Sequence, residues 1–82
     1  MTHHRLRQES IGDGFTTVRV RQTLAEDPAT TYYDIRVVTS LGVVRLSGCV
    51  ETPVEHAQAL ALARNIKGVL RVEDFLEIRA IY

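Results

Sequence analysis

The stretch LGVVRLSGCVETPVEHAQALALARNIKGV, residues 41–69, decides the fold. It opens with a period-two alternation. Val44, Leu46, Gly48 and Val50 fall on one face of a strand, and Arg45, Ser47 and Cys49 on the other. Gly48 stands where a valine would continue the apolar face, which predicts that another part of the fold, a helix, approaches closely there. The strand runs into a complete helix start. Thr52 is the N-cap, Pro53 fills the first helical position, and Glu55 closes a T-x-x-E capping box. The helix is expected to reach Lys67, with Gly68 as a left-handed stop.

The elements outward of this stretch follow from the same two periods. Upstream, YYDIRVVTS reads as a strand, with Ile35, Val37 and Thr39 on one face and Asp34, Arg36 and Val38 on the other. SLG, residues 40–42, makes a tight reversal, and Gly42 supplies positive φ. Downstream, Val69 to about Ile81 reads as a third strand, with Leu76, Ile78 and Ala80 alternating against Phe75, Glu77 and Arg79. A first helix is expected from about Gly14 to Glu26, capped by Asp13. Val20 and Leu24 form its stripe, completed by Thr16 or Thr17. TTVRVR within it also alternates like a strand, and Asp27–Pro28 ends the segment either way. Residues 1–12 are polar and aperiodic and read as a flexible N-terminal tail, leaving residues 13–82 as the domain.

The order is αββαβ, an α+β class. A three-stranded mixed sheet with two helices packed on one face is the economical arrangement. The helix between the second and third strands lets those strands run parallel, while the first two pair as an antiparallel hairpin.

Composition restricts function. The chain has 82 residues, enough for one domain burying about 60% of its unfolded surface. Ten basic and ten acidic residues cancel, so no overall field draws it to nucleic acid or to anionic lipid. The single cysteine, Cys49, permits no intramolecular disulfide. No apolar run is long enough to span a membrane. No signal peptide is visible, which gives a cytoplasmic expectation for the chain as written and a periplasmic or envelope one for an excised segment.

No catalytic group stands out. His56 is the only histidine outside the tail, and its conceivable partners are Ser47, Cys49, Glu51 and Glu55. Cys49 lies on a strand face, without the helix N-terminus or cationic pocket that makes a thiolate. No Gly-rich phosphate loop or calcium loop is present, and no cofactor or metal is expected.

Two surfaces remain as candidates. In the second helix, Ala59, Leu62, Ala63 and Ile66 make the sheet-facing stripe. Val54, Ala57, Leu60 and Ala61 gather on a second face, which either packs against the first helix or awaits a partner. The sheet face away from the helices should carry Asp34, Arg36, Val38, Arg45, Ser47, Cys49, Phe75, Glu77 and Arg79. That face is either solvated or a protein contact, with Phe75 as anchor and Arg36, Arg45 and Arg79 at the rim.

These residues resemble a known family. G-x-V-x-L-x-G-x-V at Gly42, Val44, Leu46, Gly48 and Val50 is similar to the BON (bacterial OsmY and nodulation) domain. So is A-x-x-L-A-x-x-I-x-G-V-x-x-V at Ala59, Leu62, Ala63, Ile66, Gly68, Val69 and Val72. The resemblance covers residues 13–79. It implies an αββαβ fold without enzymatic activity. It also implies a binding module attached to envelopes, membranes or phospholipid surfaces, often in tandem, with some members in cytoplasmic multidomain proteins. The matching positions are apolar or glycine and transfer no ligand-binding residue. Asp74 stands where the family often has asparagine. The expectation is therefore a module that contacts another protein or itself, with phospholipid-surface binding as the alternative. Small-ligand binding is a third class that no residue selects.

Overall fold

A computed structural model describes residues 2–79 of the chain, with side chains described from Gly12 onward. The backbone of residues 2–12, expected as a flexible tail, is helical and continuous with α1, while Met1 and the side chains of residues 2–11 lie outside the described residues. Five elements follow in order: α1 (Thr2–Glu26), β1 (Arg36–Ser40), β2 (Val43–Val50), α2 (Pro53–Arg64) and β3 (Arg71–Ile78). The sheet order is β1-β2-β3, with β1 antiparallel and β3 parallel to β2. The mixed α+β sheet expected from the sequence is the one found.

One face of the sheet carries the core. Val44, Leu46 and Val50 of β2 are buried with Val37 of β1, Val20 and Leu24 of α1, and Ala59 and Ala63 of α2. Leu62, Ile66, Val72 and Leu76 pack around them. The stripe of α1 includes Thr16, buried, with its hydroxyl donating to the Gly12 carbonyl at 3.0 Å. The alanines of α2 let that helix lie close to the sheet, where a larger side chain would hold it off.

The segment between α1 and β1 is fastened by polar groups. The buried Thr30 hydroxyl donates to the Leu24 carbonyl at 2.6 Å, which satisfies an orphan acceptor at the helix end. The Asp27 carboxylate accepts from the Ala29 amide at 2.9 Å and from the Gln58 side chain of α2 at 3.0 Å. That carboxylate thus ties the end of α1 to its neighbouring helix.

Four local expectations are corrected. The helical backbone of α1 extends upstream to Thr2, so Asp13 lies inside the helix and caps the β1–β2 turn instead of α1. α2 ends at Arg64 with Asn65 as C-cap, three residues short of Lys67. Gly68, at φ 98°, serves a separate turn in which the Val69 amide donates to the Ile66 carbonyl at 3.1 Å. β3 starts at Arg71 and ends at Ile78, and the continuation expected at Ala80 and Ile81 lies outside the described residues. Gly48 is required by the chain entering β1 and not by a helix. Its φ is 123°, and a Cβ there would sit 2.8 Å from the Asp34 carbonyl oxygen.

The remaining helix signal appears as read. The Thr52 hydroxyl accepts from the Glu55 amide at 3.4 Å, and the Glu55 carboxylate accepts from the Thr52 amide at 2.9 Å and the Glu51 amide at 3.1 Å. Burial pushes the Glu55 carboxyl up. The Tyr33 hydroxyl and the Thr52 and Glu51 donors outweigh this and hold it below the usual glutamate range. Tyr33 shifts upward, through desolvation first, then its bond to Glu55 and the nearby charges of Glu51 and Glu55.

Candidate functional site

Since both helices pack on one side of the sheet, the other side is open. The register sets its rows. Val38, Arg45 and Glu73 lie across the three strands, then Arg36, Ser47 and Phe75, then Cys49 and Glu77 on β2 and β3. Val38 is 58% exposed and Phe75 56%. The Arg45 guanidinium stands 5.1 Å from the centre of the Phe75 ring, a diagonal cross-strand cation–π contact.

Charges frame this aromatic. Glu73 accepts from Arg45 at 3.3 Å and from Arg71 at 3.2 Å, so one carboxylate holds two guanidinium groups in place. Arg79 reaches Glu77 at 3.2 Å, and the Cys49 thiol donates to the same Glu77 oxygen at 3.7 Å. These exposed pairs are worth little as stability, about 0–1 kcal/mol each. Their effect is orientation, because Arg45 is fixed over the ring and its solvent-facing edge.

The structure thus brings Val38, Arg45 and Phe75 together on one face, with Arg36 in the row of Phe75. Arg79 lies just beyond β3, turned to Glu77. Glu73 and Arg71 belong to the same face and were missed. Alternation alone puts Glu73 in line with Phe75 and Glu77, but its role needs the β2–β3 register.

The second stripe of α2 is divided. Leu60 is partly buried against the core, whereas Val54 is 74% exposed and Ala57 and Ala61 face solvent. The exposed part is small, one valine and two alanines.

Cys49 and His56 are kept apart. Cys49 is on the open face beside Glu77. His56 Nε2 lies 2.5 Å from Asp74 Oδ2, and Asp74 is opposite Leu46, in register with the helix-covered face. Asp74 also accepts the Leu76 amide at 3.0 Å, so its carboxylate joins α2 to the outer edge of β3. Among the described residues, no group of three or more His, Cys, Asp or Glu side chains is arranged to hold a metal ion. No helix among them is long and apolar enough to cross a membrane.

A small αββαβ module with one sheet face uncovered is the class these features define. Residues 13–80 match the family model of the BON domain, and the chain belongs to that family. It is also 34% identical over 69 residues to the osmotically-inducible protein Y of Escherichia coli K12. That alignment takes in 84% of this chain but 34% of the relative, so the chain spans about a third of that protein's length.

Proposed function

We propose that this chain is a non-catalytic BON-type interaction module that docks on another protein, or on a second copy, through its open sheet face. The observation that carries the reading is the Arg45 guanidinium held over a half-exposed Phe75 on a face neither helix covers. Arginine and aromatic side chains are the groups that most often anchor protein contacts. A ring oriented before binding also loses less freedom when a partner seats on it. Phe75 and Val38 serve as apolar anchors, and Arg36, Arg45 and Arg79 as the polar rim. Residues 13–82 form the module on this reading, and residues 1–12 are a tail in which residues 2–12 continue α1 upstream. The exposed Val54, Ala57 and Ala61 of α2, beside the half-covered Leu60, offer a smaller second surface.

The test combines light scattering with site-specific photo-crosslinking. A photoreactive residue at Phe75 should give one discrete protein adduct in the host cell, and the same residue at the α2 surface position Arg64 should not. A concentration series from micromolar to millimolar tells whether that adduct is a second copy. A strict monomer with no adduct at Phe75, joined to co-flotation with anionic liposomes, would replace this reading with phospholipid-surface binding.

A further inference from the structure

We infer that the outer edge of β1 is a strand-addition site for an extended peptide segment carrying an acidic side chain at one end. This names a partner class for the interaction module and rests on that reading, but it uses the edge of β1, which shares Val38 and Arg36 with the open face and not Phe75 or Arg45.

The hairpin geometry fixes which backbone groups are free. A two-residue turn at Leu41–Gly42 makes Ser40 and Val43 the first hydrogen-bonded pair, and bonded pairs then alternate through Val38–Arg45 and Arg36–Ser47. The N–H and C=O of Val37 and Thr39 therefore point away from β2. No backbone bond beyond the hairpin ladder involves either residue among the described residues. An unpaired edge of this kind is a template for another strand.

The opposite edge differs. There the parallel register turns the Leu76 amide outward, and Asp74 Oδ1 takes it at 3.0 Å while His56 holds the other oxygen. A carboxylate seated on the edge in this way opposes strand addition. Among the described residues no carboxylate sits on the edge of β1 in this way, and the nearest polar contact is side chain to side chain, the Thr17 hydroxyl donating to the Thr39 hydroxyl at 2.7 Å.

Space and charge favour the same edge. Two shallow depressions, of about 520 and 300 Å³, adjoin it, and both are lined by Val37 and Val38. Gly14 and Thr17 of α1 wall the first, where the missing side chain of Gly14 leaves room. Arg21 of α1 and Arg36 line the second, with Asp34 the only acid there. Neither arginine forms an ion pair with a described carboxylate. Two guanidinium groups without an ion-pair partner among the described residues, at the entry end of β1, suit an acidic residue on the incoming strand.

The probes are soluble hexapeptides alternating valine and threonine, with one aspartate at either end to cover both strand directions. Titrated into the whole chain and followed by amide NMR, one of them should shift Val37 and Thr39 and slow their hydrogen exchange, leaving Leu76 unmoved. Arg21→Glu combined with Arg36→Glu should weaken that peptide at least about tenfold and create binding to the lysine-ended counterpart. Both positions are exposed, and circular dichroism should show the fold retained. No shift at millimolar peptide, a shift centred on Leu76, or indifference to the charge swap overturns the inference. So does a Val37 and Thr39 shift that depends on protein concentration alone, which would assign the edge to a second copy. Phe75→Ala should leave peptide binding intact, so failure here and failure of the open-face reading are told apart.

Discussion

Asp13, in the middle of α1, accepts the backbone amide of Leu41 at the tip of the hairpin across 2.8 Å. The same carboxylate takes the Gly42 amide at 3.1 Å. Leu41 has φ 51° and Gly42 φ 80°, the positive pair a two-residue hairpin turn demands, and leucine is a costly residue in that region. The Asp13 carboxylate offsets that cost by binding both turn amides. Asp13→Ala should destabilise the protein by about 1–2 kcal/mol, the range for a hydrogen bond to a charged acceptor at a partly exposed site. Thermal unfolding should show the midpoint lower by roughly 5–15 °C for a domain of this size. An unchanged midpoint would mean that the turn forms without α1.

Two glycines should respond in opposite directions to alanine. Gly48→Ala places a Cβ 2.8 Å from a backbone oxygen, at φ 123°, and should cost about 2 kcal/mol or more. Gly14 lies inside α1, and a Cβ there meets nothing within 4 Å. Gly14→Ala should add about 0.5–1 kcal/mol through helix propensity and reduced unfolded-state freedom. Urea unfolding of the two variants checks both signs.

Leu60→Glu separates the two halves of the outer stripe of α2. Leu60 is packed against the core, so a carboxylate there should lower stability by about 2–3 kcal/mol. Val54→Glu, at a 74% exposed site, should change it by less than about 0.5 kcal/mol. Urea midpoints compared side by side give the answer. A folded, unshifted Leu60→Glu protein would assign that leucine to an interface.

Acid should loosen the start of α2. The Glu55 pKa is lowered in the folded state, so its contribution is fully present above the unfolded glutamate value, near 4.5. It is lost as pH falls through the lower folded value. Wild type should therefore lose part of its stability advantage over Glu55→Gln below about pH 4.5, and the two stability curves should converge there. Parallel curves through that range would show that Glu55 acts only as a neutral hydrogen-bond acceptor.

The parts legible in the sequence are those whose causes are local. Thr52, Pro53 and Glu55 declare the start of α2 because a cap is completed within four residues. Alternation likewise separates Val44, Leu46 and Val50 from Arg45 and Cys49, since a strand has only two faces. What escaped is set by distant partners. Asp13 carries every sign of an N-cap, yet its acceptor atoms go to amides 28 and 29 residues away. Gly48 signals a close approach, but only the path of Asp34 shows what approaches. The rows of the open face follow the same rule. Each strand's share was readable, whereas the stacking of Arg45 on Phe75 and the grip of Glu73 depend on the β2–β3 register. Asp74 stands in the sequence only as a departure from the family's frequent asparagine, whereas in the fold it joins His56 to the β3 edge.

The position of Cys49 gives the molecule a ready reporter. It is the chain's only cysteine, it is exposed, and it lies on β2 one row from Ser47 and Phe75. A maleimide dye therefore attaches at a single place without any engineered thiol, and its emission reads the polarity above that part of the sheet. Quenching or a blue shift on adding a binding protein would register occupancy in real time, with the natural sequence otherwise untouched.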